Sequence, residues 1–467
     1  MGDKVSDRRS LLWGLLGLLL LAGAFIVVVL ANPAGQAEAS SASAPGSYSH
    51  VGVASCSGST CHGRSEPTGK VVRQDEIMRW QEASSESGAH SRAFAVLASP
   101  RGQAIAAKLG IGPATSAGEC LGCHADPASA GRGPRWHVED GVGCEACHGG
   151  AQSWLNSHYA VGQTHAANLA RGMYPLDRPR ARAEKCLDCH FGSDRPGQFV
   201  SHRIMAAGHP RVAFELDLFS ALQQHHDEDA DYVQRKGRTN NVQMWAIGQA
   251  SAVARATTLF ANPRLGTEGV FPEIYFFDCH TCHRPIQDGP NGRATWIANP
   301  GRPIPSGMPA FNDENMIMLA AAAKAVAPGA AARFEADSRA FHAALGKDRP
   351  SAVAAARKLA GSAQSVADAI AGRSLGGPET FAIIDSIANG TITARFTDYE
   401  GSAQAVMALD TLLNALVREG RVEAGAARGA RGSIDRAYRA VRDPNSYRPA
   451  EFRAALGQAA ASIRALK

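Results

Sequence analysis

The sequence has few aromatic residues, little net charge and no cysteine after Cys282. Phe, Trp and Tyr make up 6% of 467 residues, so something other than aromatic side chains must help to fill the interior. Lys and Arg outnumber Asp and Glu by 48 to 43, and this formal charge of +5 is too small for a protein whose main partner is nucleic acid. A hydrophobic content of 45% excludes a disordered chain or a disulfide miniprotein.

Long apolar runs are also scarce, with one exception near the N-terminus. Residues Leu11 to Ala31 carry no charge, and about 20 such residues in a helix cross a hydrocarbon core of about 30 Å. Basic residues precede the run, so the positive-inside rule keeps the N-terminus in the cytoplasm. We predict a single-pass anchor in the inner (cytoplasmic) membrane with the bulk of the chain in the periplasm. The alternative is a signal peptide, cleaved near Ala37-Glu38-Ala39 to give a secreted periplasmic protein.

Composition divides the chain into five segments. Residues 1–31 form the cytoplasmic tip and anchor, and residues 32–49 are an Ala, Ser, Gly and Pro tether. Residues 50–283 hold all ten cysteines and fifteen of the sixteen histidines. Residues 284–312 are rich in Pro and Gly and predict a linker, whereas residues 313–467 are Ala-rich with helical periodicity and predict a helical domain.

The ten cysteines form five motifs, each ending in Cys-His. Four have the spacing Cys-x-x-Cys-His and the first is Cys-x4-Cys-His, with Gly58 expected to let its longer loop bulge. Two thiols about one helical turn apart can both attach to one porphyrin, and the next imidazole can ligate its iron. We therefore predict five covalently attached c-type haems (heme c, iron). The predicted thioether residues are Cys56, Cys61, Cys120, Cys123, Cys144, Cys147, Cys186, Cys189, Cys279 and Cys282, and the predicted proximal ligands are His62, His124, His148, His190 and His283.

Three other readings of the cysteines compete with haem. Five disulfides would suit an exported protein, but they do not require a histidine after every second cysteine. Structural zinc sites combine two Cys-x-x-Cys pairs or add a spaced histidine pair rather than repeating one motif five times. A thioredoxin-like redox pair would be expected once, near a βαβ pattern.

A second histidine on each iron would leave no open position for substrate, and eleven histidines remain as sources. The predicted distal ligands, chosen because they lie close to the motifs, are His90, His158, His165, His202 and His209. His50 and His137 rank next. His225 and His226 precede an acidic run and are expected to be solvated, and His280 and His342 are expected to be structural or exposed.

The motif set resembles the bacterial multihaem cytochromes related to cytochrome c-554. The segments Asp140-Gly-Val-Gly-Cys-Glu-Ala-Cys-His-Gly-Gly150 and Ala206-Ala-Gly-His-Pro-Arg211 carry the resemblance together with the motifs, over roughly residues 50 to 285. It implies a mainly α fold with a haem-filled core, little regular sheet and mostly bis-histidine irons. Five motifs rather than four, the long first motif, the N-terminal transmembrane helix and the C-terminal helical extension depart from that family's pattern.

Five haems within residues 56–283 must be neighbours, which favours an electron-transfer protein over a catalyst. The expected partners are redox proteins, including a quinol-linked membrane complex. One alternative is a nitrite, hydroxylamine or sulfur-oxyanion oxidoreductase with one five-coordinate haem, at the first or fifth motif. Another is a scaffold inside a respiratory complex. The haem propionates would add about −10 to the formal charge and make the protein neutral to acidic.

Overall fold

The computed structural model describes residues 48–67, 73–225, 227–228, 230–267, 273–283, 302–304, 308–394 and 399–467. The chain divides into two units, Met1–Ser43, which lies outside these residues, and Ala44–Lys467, to which the following description refers. The described chain is mainly helical and contains no β-sheet, only isolated bridges between His50 and Arg132 and between Phe277 and Phe311. This confirms the predicted mainly α fold with little regular sheet.

The region that holds the motifs consists of short helices joined by turns. Several turns need glycine; Gly141 and Gly149, for example, adopt φ of 68° and 81° on either side of the third motif. Helices this short are not stable alone, so packing must hold them. They are α1 (Glu76–Trp80), α2 (Pro100–Leu109), α3 (Gly118–His124), α4 (Cys144–His148), α5 (His165–Ala170), α6 (Pro179–His190), α7 (His202–Ala206), α8 (Leu216–Leu222), α9 (Ala230–Lys236) and, after a longer helix, α11 (Cys279–Cys282).

The longer helix, α10 (Asn241–Phe260), is the central element of the fold. Fifteen of its twenty residues are buried, as expected for a helix that is apolar on all sides. It packs against α6 and α8 of the motif region and against three helices of the C-terminal region. At Gly248 a Cβ would lie 2.5 Å from Cβ of Leu216, so glycine allows α8 to approach closely.

In the described part of the C-terminal region, seven Ala-rich helices share one hydrophobic core with α10. The small side chains let the helices approach, and Phe334, Phe341 and Phe452 fill the spaces between them. His342 is fully buried here, with Nε2 3.3 Å from Asp313. The helices are α12 (Glu314–Val326), α13 (Pro328–Leu345), α14 (Arg349–Ala371), α15 (Gly377–Ala394), α16 (Tyr399–Arg418), α17 (Ala424–Ala440) and α18 (Pro449–Arg464).

Within the described residues, no helix combines the length and the apolar character that a membrane crossing requires. The predicted anchor, Leu11 to Ala31, lies outside the described residues.

Candidate haem-binding site

Four of the five motifs lie on helices, in α3, α4, α6 and α11. The i, i+3 spacing places both cysteines of each pair on one helix face. The first motif instead folds as a loop, closed by hydrogen bonds from the Cys61 N–H to the Gly58 carbonyl and from the His62 N–H to the Cys56 carbonyl. Gly58, which was expected to let the loop bulge, does not have a left-handed φ. The close approach occurs at Gly63, where a Cβ would lie 2.0 Å from the Ser57 carbonyl oxygen.

Each motif histidine faces a second histidine across a gap of nearly constant width. The ring centroids are 6.2 Å apart in four pairs and 6.1 Å apart in the fifth. The ring planes are 14° and 28° apart in the first and fifth sites but 77° to 85° apart in the others. In motif order the pairs are His62 with His158, His124 with His209, His148 with His225, His190 with His90, and His283 with His202.

This gap fits one metal ion between two imidazoles. With metal–nitrogen bonds of about 2.0 Å and about 1.1 Å from each nitrogen to its ring centre, two imidazoles on opposite sides of a metal have centroids about 6.2 Å apart. Packing alone would not hold five pairs at one distance while the angle between the rings varies from 14° to 85°. The residues present therefore fit iron with two axial histidines.

Hydrogen bonds orient many of these rings so that Nε2 points away from the partner group. Nδ1 of His124 lies 2.7 Å from the Ala93 carbonyl oxygen, and corresponding carbonyl contacts hold His158, His190, His209 and His225. Nδ1 of His62 lies 3.0 Å from the Glu76 carboxylate, which raises the pKa of His62. An Nδ1–H held in this way leaves Nε2 as the ligand atom, the usual arrangement for a metal-bound histidine.

Burial keeps several of these imidazoles neutral at pH 7, as ligation requires. Burial lowers the pKa of His90 to about 4, and the nearby His190 adds to the shift. Burial also lowers the pKa of His158, His190 and His209.

A cavity of about 2020 Å³ connects the first four sites. Pockets for single organic ligands are about 300–1,000 Å³, so this space would hold several large cofactors. Its walls include all four motif histidines and both cysteines of each of the four motifs. The buried apolar clusters of this region are small, which agrees with a core completed by a bound group rather than by side chains.

The attachment cysteines of different motifs lie close to one another. The neighbouring Cys144 side chain lowers the pKa of Cys56, and the neighbouring Cys189 side chain lowers the pKa of Cys123. Burial raises the pKa of Cys186 to about 12, with Cys147 nearby as the next cause. The first site therefore adjoins the third, the third adjoins the fourth, and the fourth adjoins the second.

Residues 55–149 match the family model described as cytochrome c554 and c-prime. This chain is related to the cytochrome c-554 family. It is a c-type cytochrome with covalently bound haem c, and the matched segment contains the first three motifs. No curated protein and no solved structure matches the chain.

Two histidines of this cytochrome lie elsewhere than the sequence suggested. His165 was a predicted distal ligand, but its Nε2 lies 3.0 Å from Asp177 and the structure does not bring it opposite a motif histidine. His225, expected to be solvated, instead faces His148. No local pattern distinguishes His225, because the chain segments that bring it to α4 are remote in sequence. His226 lies outside the described residues.

The remaining histidines are accounted for by other contacts. Buried His50 pairs through Nδ1 with Asp126 at 2.8 Å, His137 is exposed, and His280 packs edge-on against Tyr399.

Glu145, inside the third motif, accepts hydrogen bonds from the backbone N–H groups of Val51, Gly52 and Ala151. The Glu145 carboxylate therefore links the segment before the first motif to α4 through hydrogen bonds.

Proposed function

We propose that this cytochrome is a pentahaem electron-transfer protein in which two histidines hold every iron. Haem c supplies one-electron exchange at its iron, and two imidazoles leave no coordination position for a substrate. The observation that carries the proposal is the set of five opposed imidazole pairs at 6.1–6.2 Å.

The proposal assigns a role to each motif residue. The ten cysteines bind the haems as thioethers, and the histidine that ends each motif is the proximal ligand. The distal ligands, in motif order, are His158, His209, His225, His90 and His202. In this set His225 takes the place that the sequence suggested for His165.

The enzyme alternative required one iron without a second histidine, at the first or the fifth site. At the first site His158 lies opposite His62, and at the fifth site His202 lies opposite His283. Both candidates for an open iron thus have a sixth ligand within reach, which favours electron transfer over catalysis.

The proximity of attachment cysteines from different motifs supports a continuous path. The first, third, fourth and second sites follow one another through Cys56–Cys144, Cys147–Cys186 and Cys189–Cys123. The fifth site adjoins the second through the chain segment from His202 to His209, because these two residues are the distal ligands of the two sites. Electrons would pass along this series between redox partners at its two ends.

We further propose that residues 11–31 anchor the protein in the inner membrane, with the haem region in the periplasm. A quinol-linked membrane complex and a soluble periplasmic protein would be its partners. Membrane fractionation and N-terminal sequencing of the mature protein test this: a soluble protein beginning after residue 39 would exclude the anchor.

Intact mass and electronic spectra of the purified full chain test the cofactor assignment. We expect the mass of five haems, wholly low-spin iron and no spectral change with cyanide or nitrite. A high-spin band that shifts with either ligand would favour the enzyme, and a mass of four haems or fewer would exclude the pentahaem assignment.

A further inference from the structure

The fifth site is separate from the cavity that joins the other four. None of Cys279, Cys282, His283 and His202 is among the residues that line that cavity. Tyr275 is fully buried, and burial raises the pKa of its hydroxyl to about 12, with smaller contributions from Cys279 of the fifth motif and Cys123 of the second. That hydroxyl donates a hydrogen bond of 3.0 Å to the carbonyl of Phe191, which follows His190 of the fourth site.

Arg211 lies at this junction, two residues after His209. One guanidinium nitrogen, Nη1, lies 3.3 Å from Sγ of Cys279 and 3.2 Å from the Phe277 carbonyl oxygen. The other, Nη2, lies 3.2 Å from the Tyr275 carbonyl oxygen, and the guanidinium carbon is 5.2 Å from the centre of the Tyr275 ring. Four contacts thus hold the cation against a sulfur that would bind the fifth haem.

The charge of Arg211 is not neutralised locally. Its direct contacts are two carbonyls, a sulfur and a ring, and within the described part of the chain no carboxylate oxygen lies within 4.0 Å of it. Burial acts to lower the pKa of Arg211, but the net shift is upward, and the carboxyl groups that raise the pKa from farther away are those of Glu314 and Glu400. Burial raises the pKa of Glu400 to about 9, with Asp278 adding to the shift, so Glu400 is neutral at pH 7.

We propose that Arg211 sets the reduction potential of the fifth haem, holding it above the value that a neutral side chain would give. A fixed positive charge in a partly buried site favours the iron state with one more electron, and groups beside the haem sulfurs are among the determinants of potential. Arg211 would act on the iron through its charge alone, because it contacts neither substrate nor iron. The inference rests on the proposed function because it requires a haem at the fifth site.

Spectroelectrochemical titration of the full-length holoprotein at pH 7 tests the inference. A His202→Met variant first identifies the fifth centre, because Met/His ligation raises its potential. In Arg211→Gln we expect the potential of that same centre to fall while the other four stay unchanged. In Arg211→Lys, which keeps the charge, we expect most of the original potential to remain.

Haem count and spin state are measured on each variant. These two measurements distinguish a failure of the proposed pentahaem function from a failure of the role proposed for Arg211. Five low-spin haems with an unchanged fifth potential in Arg211→Gln would overturn the role of Arg211 and leave the proposed function standing. An equal fall in Arg211→Lys would also overturn it, because the charge would not be the cause.

If Arg211→Gln does not mature, Arg211→His provides a charge that pH controls. We expect the fifth potential of this variant to fall as the pH rises through the histidine pKa, while the wild-type potential stays flat over the same range. A variant potential as independent of pH as the wild type would overturn the proposal.

Discussion

At the scale of single residues, the histidines that lie opposite the motif histidines are the most informative. His225 and His165 differ in their surroundings: His225 lies opposite His148, whereas His165 is paired with Asp177. The two residues therefore provide a matched test of the ligand assignment.

Replacing His225 with Ala is expected to leave the third iron with one protein ligand. We predict that one of five haems becomes high-spin and binds cyanide in this variant, measured by electronic and electron paramagnetic resonance spectra. The matched control, His165→Ala, should remain wholly low-spin. A high-spin haem in the control and none in His225→Ala would reverse the assignment.

The angle between paired imidazole planes makes a second prediction at this scale. The planes lie 14° and 28° apart in the first and fifth sites, and 77° to 85° apart in the other three. Parallel ligand planes separate the energies of two iron d orbitals, whereas perpendicular planes leave them nearly equal. We expect two rhombic low-spin signals and three of the strongly anisotropic type in the ferric resonance spectrum. Five signals of one type would contradict these orientations.

At the scale of elements, the first motif differs from the other four because it is a loop and not a helix. The loop closes only because Gly63 passes the Ser57 carbonyl, where a Cβ would lie 2.0 Å from the oxygen. At Gly58 a Cβ would meet only the side chain of Cys61, with Sγ at 3.4 Å and Cβ at 3.9 Å.

Gly63→Ala should therefore displace His62 and lower the haem count of the mature protein from five to four, measured by intact mass. The clash is with backbone and cannot be relieved by rotating a side chain. Gly58→Ala is the matched control and should retain five haems. Loss of a haem in Gly58→Ala alone would show that the flexibility of the loop, and not the contact at Gly63, decides attachment.

At the scale of the whole molecule, buried carboxyl groups connect the motif region to the C-terminal helices. Glu215 is fully buried and accepts hydrogen bonds from the N–H groups of Asp217 and Leu218 and from the Thr411 hydroxyl on α16. Burial raises its pKa from 4.5 to about 7, with nearby Asp217 adding to the shift.

This shift predicts how stability depends on pH. Below about pH 4.5, Glu215 is protonated in both the folded and the unfolded chain. Between about pH 4.5 and 7 it ionises in the unfolded chain but not in the folded one, so the free energy of unfolding falls as the pH rises. Above about pH 7 it is ionised in both states and the effect levels off. The total is on the order of 3 kcal/mol. Glu215→Gln should flatten this part of the urea-midpoint curve, whereas the exposed control Glu451→Gln should leave its slope unchanged. An unaltered slope in Glu215→Gln would mean that Glu215 does not titrate in this range.

Several parts of the molecule were predictable because their causes are local. The motifs carry their own helical spacing, and the periodicity of residues 313–467 predicts helices that the structure contains. Four of the five residues opposite a motif histidine were among the predicted distal ligands, since they lie near the motifs in sequence. The roles of His225 and Gly63 were not predicted, because they depend on neighbouring residues that come close only in the folded chain.

The sequence by itself determined the cofactor chemistry, because two thiols and an imidazole at fixed spacing must lie together wherever the chain goes. Only the tertiary structure decided which histidine lies opposite each motif histidine and which motifs adjoin one another, because these contacts join segments tens of residues apart. The tertiary structure also decided what fills the interior in place of aromatic side chains. Around α10 and the C-terminal helices, small alanines and a few phenylalanines pack closely. Around the motifs, side chains leave a cavity of about 2020 Å³ that suits bound haem.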